Sequence, residues 1–134
     1  MNVLVDTSVW SLALRRKQQS NDESVKQLRE LIASGHSIFY LGVILTEVLQ
    51  GIRSETLFKQ IEQQFDALEL ISLTKHDYVC AAKLSQVCRQ AGINASTIDY
   101  LIAAAAIEHS CSLLTTDKDF EYIATVSPLS LVKS

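Results

Sequence analysis

Apolar residues return along this chain in two rhythms. Short dense runs, such as Val3-Leu4-Val5 and Leu113-Leu114, alternate with longer stretches in which apolar positions recur every three or four residues. The short runs predict strands over 2–6, 37–41, 68–73, 112–115 and 129–132. The longer stretches predict helices over 7–17, from about 20–23 to Gly35, then over 43–52, 53–67, 75–91, 96–109 and 117–124. Gly35 and Gly92 sit where helices should stop, as left-handed caps do. Strands this short and this apolar, alternating with helices, imply an α/β fold whose mostly parallel sheet is covered on both faces. In such sheets, sites form beyond the carboxyl ends of the strands.

Length and composition narrow the picture. The chain has 134 residues, one proline, four glycines, and no repeat or Ser/Gly-rich linker, so a single domain over 1–134 is expected. Hydrophobic residues make up 48% of it, enough for a sizeable core. A net charge of −3 supplies no global basic field for nucleic acid, so such a partner would depend on local patches, of which Arg15-Arg16-Lys17 is the best. Three cysteines, Cys80, Cys88 and Cys111, form no CxxC pair and fit reduced thiols in a cytoplasmic protein. The first residues lack the basic stretch of a signal peptide, and the apolar run 101–107 is far too short to span a membrane.

Against this background four carboxylates stand out. Asp6 ends Val3-Leu4-Val5, Glu47 lies inside the apolar stretch 43–49, Asp99 leads the run 101–107, and Asp117 follows Leu113-Leu114-Thr115-Thr116. No lysine or arginine lies within a few residues of the first three. An unpaired carboxylate in apolar surroundings costs on the order of several kcal/mol or gives up its charge. A hard divalent cation shared among these acids removes that cost and points to Mg²⁺ or Mn²⁺. Asp6 and Asp117 fall just past strand ends at one rim of the sheet, and Glu47 and Asp99 lie in the early turns of helices that can reach it.

Each acid also has a purely structural reading. Asp6 can cap the helix that starts at Thr7, and Asp117 its own short helix. Ser96-x-x-Asp99 fits a capping box, as do Thr74-x-x-Asp77 and Thr116-x-x-Asp119. Glu47 can reach solvent as a surface side chain. Capping explains each acid singly; it does not explain four of them at one rim.

Other chemistry ranks lower. There is no GxSxG elbow and no glycine-rich phosphate loop. His76 and Cys80 are one helical turn apart with Cys88 two turns on, but no second ligand pair completes a tetrahedral site, so core or surface placement is the expectation. His36 reads as a turn residue, and His109 lies near a helix C-terminus, where the dipole favours a cation.

In these four segments the chain resembles the PIN-domain nucleases, and more narrowly the VapC-type toxins of bacterial toxin–antitoxin systems. Val3-Leu4-Val5-Asp6-Thr7-Ser8-Val9-Trp10 looks like the family's first strand and acid-Thr-Ser turn. Leu45 to Gly51 looks like its second-acid helix, Asp99 to Ala104 its third, and Leu113 to Phe120 its fourth-acid segment. One such segment is weakly specific; four in order across one short chain are strongly so.

The resemblance implies a three-layer α/β/α sandwich and Mg²⁺- or Mn²⁺-dependent hydrolysis of RNA. It places the catalytic and metal-holding acids at Asp6, Glu47, Asp99 and Asp117, with Thr7, Ser8 and Thr115 or Thr116 as supporting hydroxyls behind the metal or near the scissile phosphate. Asp119 either ligates through water or caps the last helix. The implied partners are an RNA substrate, a second copy of the chain, and a small antitoxin protein. An arginine or lysine of that protein could take the metal's place, and Trp10 and Leu14 could line part of its groove. Two other functions compete: a PIN-type nuclease with housekeeping or DNA-directed work, and a non-catalytic module that senses metal or phosphate or serves as a scaffold.

Overall fold

A computed structural model describes residues 1–14 and 22–133. The basic run 15–17 lies outside the described residues. The elements in order are β1 (Asn2–Val5), α1 (Thr7–Ala13), α2 (Glu23–Ala33), β2 (Ser37–Leu41), α3 (Gly42–Gln50), α4 (Glu55–Phe65), β3 (Glu69–Ile71), α5 (Lys75–Gln90), α6 (Thr97–Glu108), β4 (Ser112–Leu114) and α7 (Asp119–Thr125).

The four strands form one parallel sheet in the order β3-β2-β1-β4. The chain first steps outward from β1 to β2 to β3, then returns past β1 to lay β4 on its other side. Right-handed crossovers require the helices of the outward and return journeys to cover opposite faces. The packing agrees: α1 contacts α2 and α3, and α3 contacts α4, while α5 packs on α6 and α6 on α7. This is the expected α/β/α sandwich. The point where the connection reverses lies between β1 and β4, and it is there that an open sheet parts at its carboxyl ends.

The core is built around β1, whose Val3, Leu4 and Val5 are fully buried. On α6, Ile102 and the run Ala103–Ala106 are buried, and such small side chains let the helix lie close to its neighbours. Trp10 is buried and stacks at a tilt on Phe65 with ring centroids 5.1 Å apart, and Tyr40 meets the same ring edge-on at 5.0 Å. Trp10 is therefore core and not a groove surface, and Leu14 packs partly buried against the same cluster.

Local chemistry sets the helix ends. Asp22 accepts from the Ser24 N–H and starts α2, while Ser54 accepts from the Leu57 N–H at 3.3 Å and starts α4. Both α5 and α6 open with the expected capping boxes, Thr74 with Asp77 and Ser96 with Asp99. Gly35 and Gly92 take φ of +79°, the left-handed conformation that closes a helix without a Cβ penalty.

The differences from the sequence expectation are local. α1 ends at Ala13, with the expected continuation over 15–17 outside the described residues, and α3 and α4 are separated at 51–54. β3 spans three residues, and 129–132 contributes only a parallel bridge between Leu131 and Leu113. Thr116 and Asp119 form no capping box, because α7 begins at Asp119 itself.

Asp77 is the buried polar anchor of the α5–α6 pair. Its Oδ2 accepts from the Thr74 N–H at 2.9 Å, and its Oδ1 lies 3.1 Å from His109 Nε2 at the far end of α6. Burial pushes its pKa up, but the Thr74 and His109 contacts together outweigh burial and hold it below the ordinary value. A lowered folded-state pKa contributes stability that is present above the unfolded value and lost as pH falls through the folded one. Asp77→Ala should therefore destabilise the fold by about 1–3 kcal/mol at neutral pH. The difference from the parent should shrink as pH falls below about 4, as read by denaturant titration at several pH values.

Candidate active site

The reversal point between β1 and β4 carries an unusual hydrogen-bond network. Asp6 follows β1, and its backbone N–H bonds Leu114 O at 2.9 Å, extending the sheet by one rung. Its backbone carbonyl begins α1, yet its side chain caps nothing. The carboxylate is only 6% exposed, and its Oδ2 accepts from Ser8 Oγ at 2.8 Å and from Thr115 Oγ1 at 2.9 Å. Those hydroxyls accept in turn: Ser8 Oγ from the Thr116 N–H at 3.1 Å, and Thr115 Oγ1 from the Asp117 N–H at 3.0 Å. The turn after β1 is thus laced to the turn after β4 through the Asp6 carboxylate. Asp6 stands at the N-cap position of α1, yet its side chain forms no cap hydrogen bond and is held by the two hydroxyls instead.

The other acids arrive from separate directions. Asp117 accepts from the Asp119 N–H at 2.9 Å, which orders the start of α7. Asp99 leads α6 and accepts from the Ser96 N–H at 3.2 Å, so it caps its helix and still faces the site. One carboxylate oxygen from each of Asp99, Asp117 and Asp119 lies within 4.8 Å of the others. Glu47, in the second turn of α3, accepts from Thr7 Oγ1 at 2.8 Å. Among the described residues no cationic side chain forms an ion pair with any of these acids.

The electrostatics follow from that absence. The Asp99 pKa is raised, first by desolvation and then by the charges of Asp117 and Asp6, against the lowering effect of its Ser96 hydrogen bonds. The donor set is all oxygen, negatively charged and partly shielded from water, which suits a hard cation such as Mg²⁺ or Mn²⁺.

Of the residues picked from sequence, the structure brings Asp99, Asp117 and Asp119 into one acidic cluster, sets Asp6 near enough for its charge to act on Asp99, and holds Glu47 through Thr7, next to Asp6 in the chain. Ser8 and Thr115 hold Asp6, and Thr7 holds Glu47. Thr116 is exposed and takes part through its backbone N–H alone. Asp119, ambiguous in sequence, joins the cluster and makes no capping box.

Comparisons with known proteins bear on this arrangement. The PIN domain family model matches residues 3–126. Ribonuclease VapC11 of Mycobacterium tuberculosis is 29% identical over 129 residues, covering 95% of each chain. Among solved structures, a chain of VapBC2 from Rickettsia felis bound to a promoter DNA fragment superposes with a TM-score of 0.79 at 20% identity, covering 98% of both chains. VapBC-1 from nontypeable Haemophilus influenzae gives 0.78 at 14% identity, over 99% of this chain and 98% of that one. At such identities these two likenesses speak for the fold.

A raised carboxylate pKa marks a charge the fold would rather not carry. Its contribution to stability is present at low pH and is lost as pH rises through the folded value. Asp99→Asn, which keeps an acceptor for the Ser96 N–H, should therefore melt at or above the parent at pH 7 in chelator. That advantage should vanish on acidification below about pH 4. Mg²⁺ or Mn²⁺ should raise the melting temperature of the parent and raise that of Asp99→Asn much less. Scanning calorimetry with and without metal reads both effects.

Proposed function

The chain belongs to the PIN-domain family, and from that premise we propose that it is a Mg²⁺- or Mn²⁺-dependent endoribonuclease and the toxin of a toxin–antitoxin pair. The observation that carries this reading is the convergence of Asp99, Asp117 and Asp119 beside a buried, doubly hydrogen-bonded Asp6. The resemblance to VapC ribonucleases over 95% of the chain supports RNA as the substrate.

In this reading Asp6 and Asp99 hold the metal most directly, and Asp117 completes the set of ligands. When bound, the ion supplies a water of lowered pKa and neutralises charge that builds on the phosphate oxygens. Asp6 presents its free Oδ1, because both hydroxyls engage Oδ2. Ser8 and Thr115 fix that orientation before any ligand arrives, so little reorganisation is left for the reaction itself. Thr7 holds the Glu47 carboxylate at the edge of the patch, where it can take the proton of the attacking water. Asp119 sits where it can contact the ion through a water.

The same acidity sets the mode of inhibition. A small antitoxin protein would place an arginine or lysine among the carboxylates and satisfy them in the metal's stead. The neighbouring structures are themselves VapBC assemblies, which supports a partner of this kind, and a homodimeric toxin working in the cytoplasm accompanies the reading.

Cleavage of total RNA should require Mg²⁺ or Mn²⁺, stop with chelator and return when metal is restored. Asp6→Asn should lower it by at least about 100-fold while staying folded. Thr115→Val, which removes only a supporting hydroxyl, should lower it by about 10–100-fold. Full activity in Asp6→Asn and Asp99→Asn would overturn the assignment. Cleavage of single-stranded DNA in preference to RNA would move the protein to other PIN-domain work.

A further inference from the structure

The far end of α6 carries a second cluster of a different chemical kind. His76 and Cys80 lie one turn apart on α5, and Glu108 comes to them from the last turn of α6. His76 Nε2 is 2.7 Å from Glu108 Oε1, and Cys80 Sγ is 3.4 Å from His76 Nε2. Cys88, the more distant cysteine of the sequence pattern, is fully buried in the core and takes no part. The missing third donor is thus a carboxylate 28 residues further along the chain from Cys80, brought near by the antiparallel packing of α5 on α6.

These spacings can be compared with a metal's requirements. Zinc bonds of about 2.0–2.2 Å to nitrogen and oxygen and about 2.3 Å to sulfur, at tetrahedral angles, put neighbouring ligand atoms about 3.4–3.6 Å apart. The sulfur–nitrogen separation already meets that value. The nitrogen–oxygen pair must open by less than about 1 Å, and the His76 side chain is 71% exposed and free to turn. A cavity of about 280 Å³ lined by Cys80, Lys83, Ile107, Glu108 and Pro128 adjoins the cluster and leaves room for a water or an anion as fourth ligand.

We propose that His76, Cys80 and Glu108 form a zinc site that fastens the start of α5 to the end of α6. A nitrogen, sulfur and oxygen set suits zinc, whereas the all-oxygen acidic patch suits magnesium or manganese. Asp99 and Glu108 are nine positions apart on α6, about 13 Å along the helix axis. The two sites are therefore distinct, and this one does not depend on the nuclease reading.

The test is titration of metal-stripped protein with Co²⁺, which gives a thiolate-to-metal charge-transfer absorption only when a cysteine sulfur is a ligand. The parent should show the absorption, saturating at one equivalent, and Asp6→Asn should show it equally. Cys80→Ser should abolish it, while His76→Ala and Glu108→Gln should each weaken Co²⁺ and Zn²⁺ affinity by more than about tenfold. In the Asp99→Asn background, which weakens metal binding at the acidic patch, Zn²⁺ in about hundredfold excess over its Kd should raise the melting temperature by about 5–10 °C, and adding Cys80→Ser should remove that rise. No absorption up to about millimolar Co²⁺, or absorption that survives Cys80→Ser, would overturn the proposal. So would affinity unchanged in both His76→Ala and Glu108→Gln, since that describes a lone thiol.

Discussion

The Asp6 carboxylate sits almost wholly out of water with two hydroxyls for company and, among the described residues, no cation. Much of the local architecture answers to that placement. A charge in such a position must be solvated by the protein itself. Ser8 and Thr115 do this with neutral donors that bond the charge without cancelling it, so the site stays negative and able to attract a positive ligand. Each hydroxyl also accepts a backbone N–H from the turn after β4. One buried charge therefore fixes the relative position of two loops that the sheet alone would bring near but not lock.

The sheet order explains why the lock lies here. β1 pairs with β2 on one side and β4 on the other, and the helices leaving those strands depart to opposite faces. The carboxyl ends of β1 and β4 are left at the rim of the sheet, and α6 brings Asp99 near enough for the charges of Asp6 and Asp117 to act on it. Asp99 does two jobs with one side chain. Its bond to the Ser96 N–H starts the helix and at the same time fixes where the carboxylate points. The resulting repulsion with Asp117 and Asp6 is tolerated because the cap, the Asp6 clamp and the α7 start are each stabilised by their own backbone hydrogen bonds. The site is thus preorganised at some cost to the metal-free fold, a pattern common where function and stability compete.

Much of this was legible in the sequence, and the rest was hidden for physical reasons. Dense apolar runs located β1, β2 and β4, whose successive residues are buried on both faces of the sheet, and period-3.6 patterning located most helices, which bury one face. The break between α3 and α4 was harder to place, since it depends on Ser54 turning its hydroxyl to a single N–H. The edge strand β3 came out shorter than its apolar run, because Leu70 is half exposed and an unpaired sheet edge gives it little to pack on. The four acids were visible as charges without local partners. The division of labour among Thr7, Ser8, Thr115 and Thr116 was not, because a hydroxyl's partner is set by rotamer and loop geometry. Asp119 was ambiguous for the same reason: whether it caps or faces the acids turns on a one-residue choice of where α7 begins.

The helix α6 draws these observations together. Its alanine row has almost no outward polarity and serves to seat the helix flat against sheet and α5, so its two ends are held as on a rigid spacer. At its start, Asp99 meets acids delivered by β1 and β4. At its end, Glu108 and His109 meet His76 and Asp77 delivered by α5. The polar residues at both ends are engaged with other elements, and the apolar middle explains why: a charged group there would be buried with nothing to bond. A shift of α6 would strain both ends at once, since neither set of contacts can follow without losing the packing between them. The geometry of the acidic patch therefore depends on contacts a full helix length away as well as on its own loops.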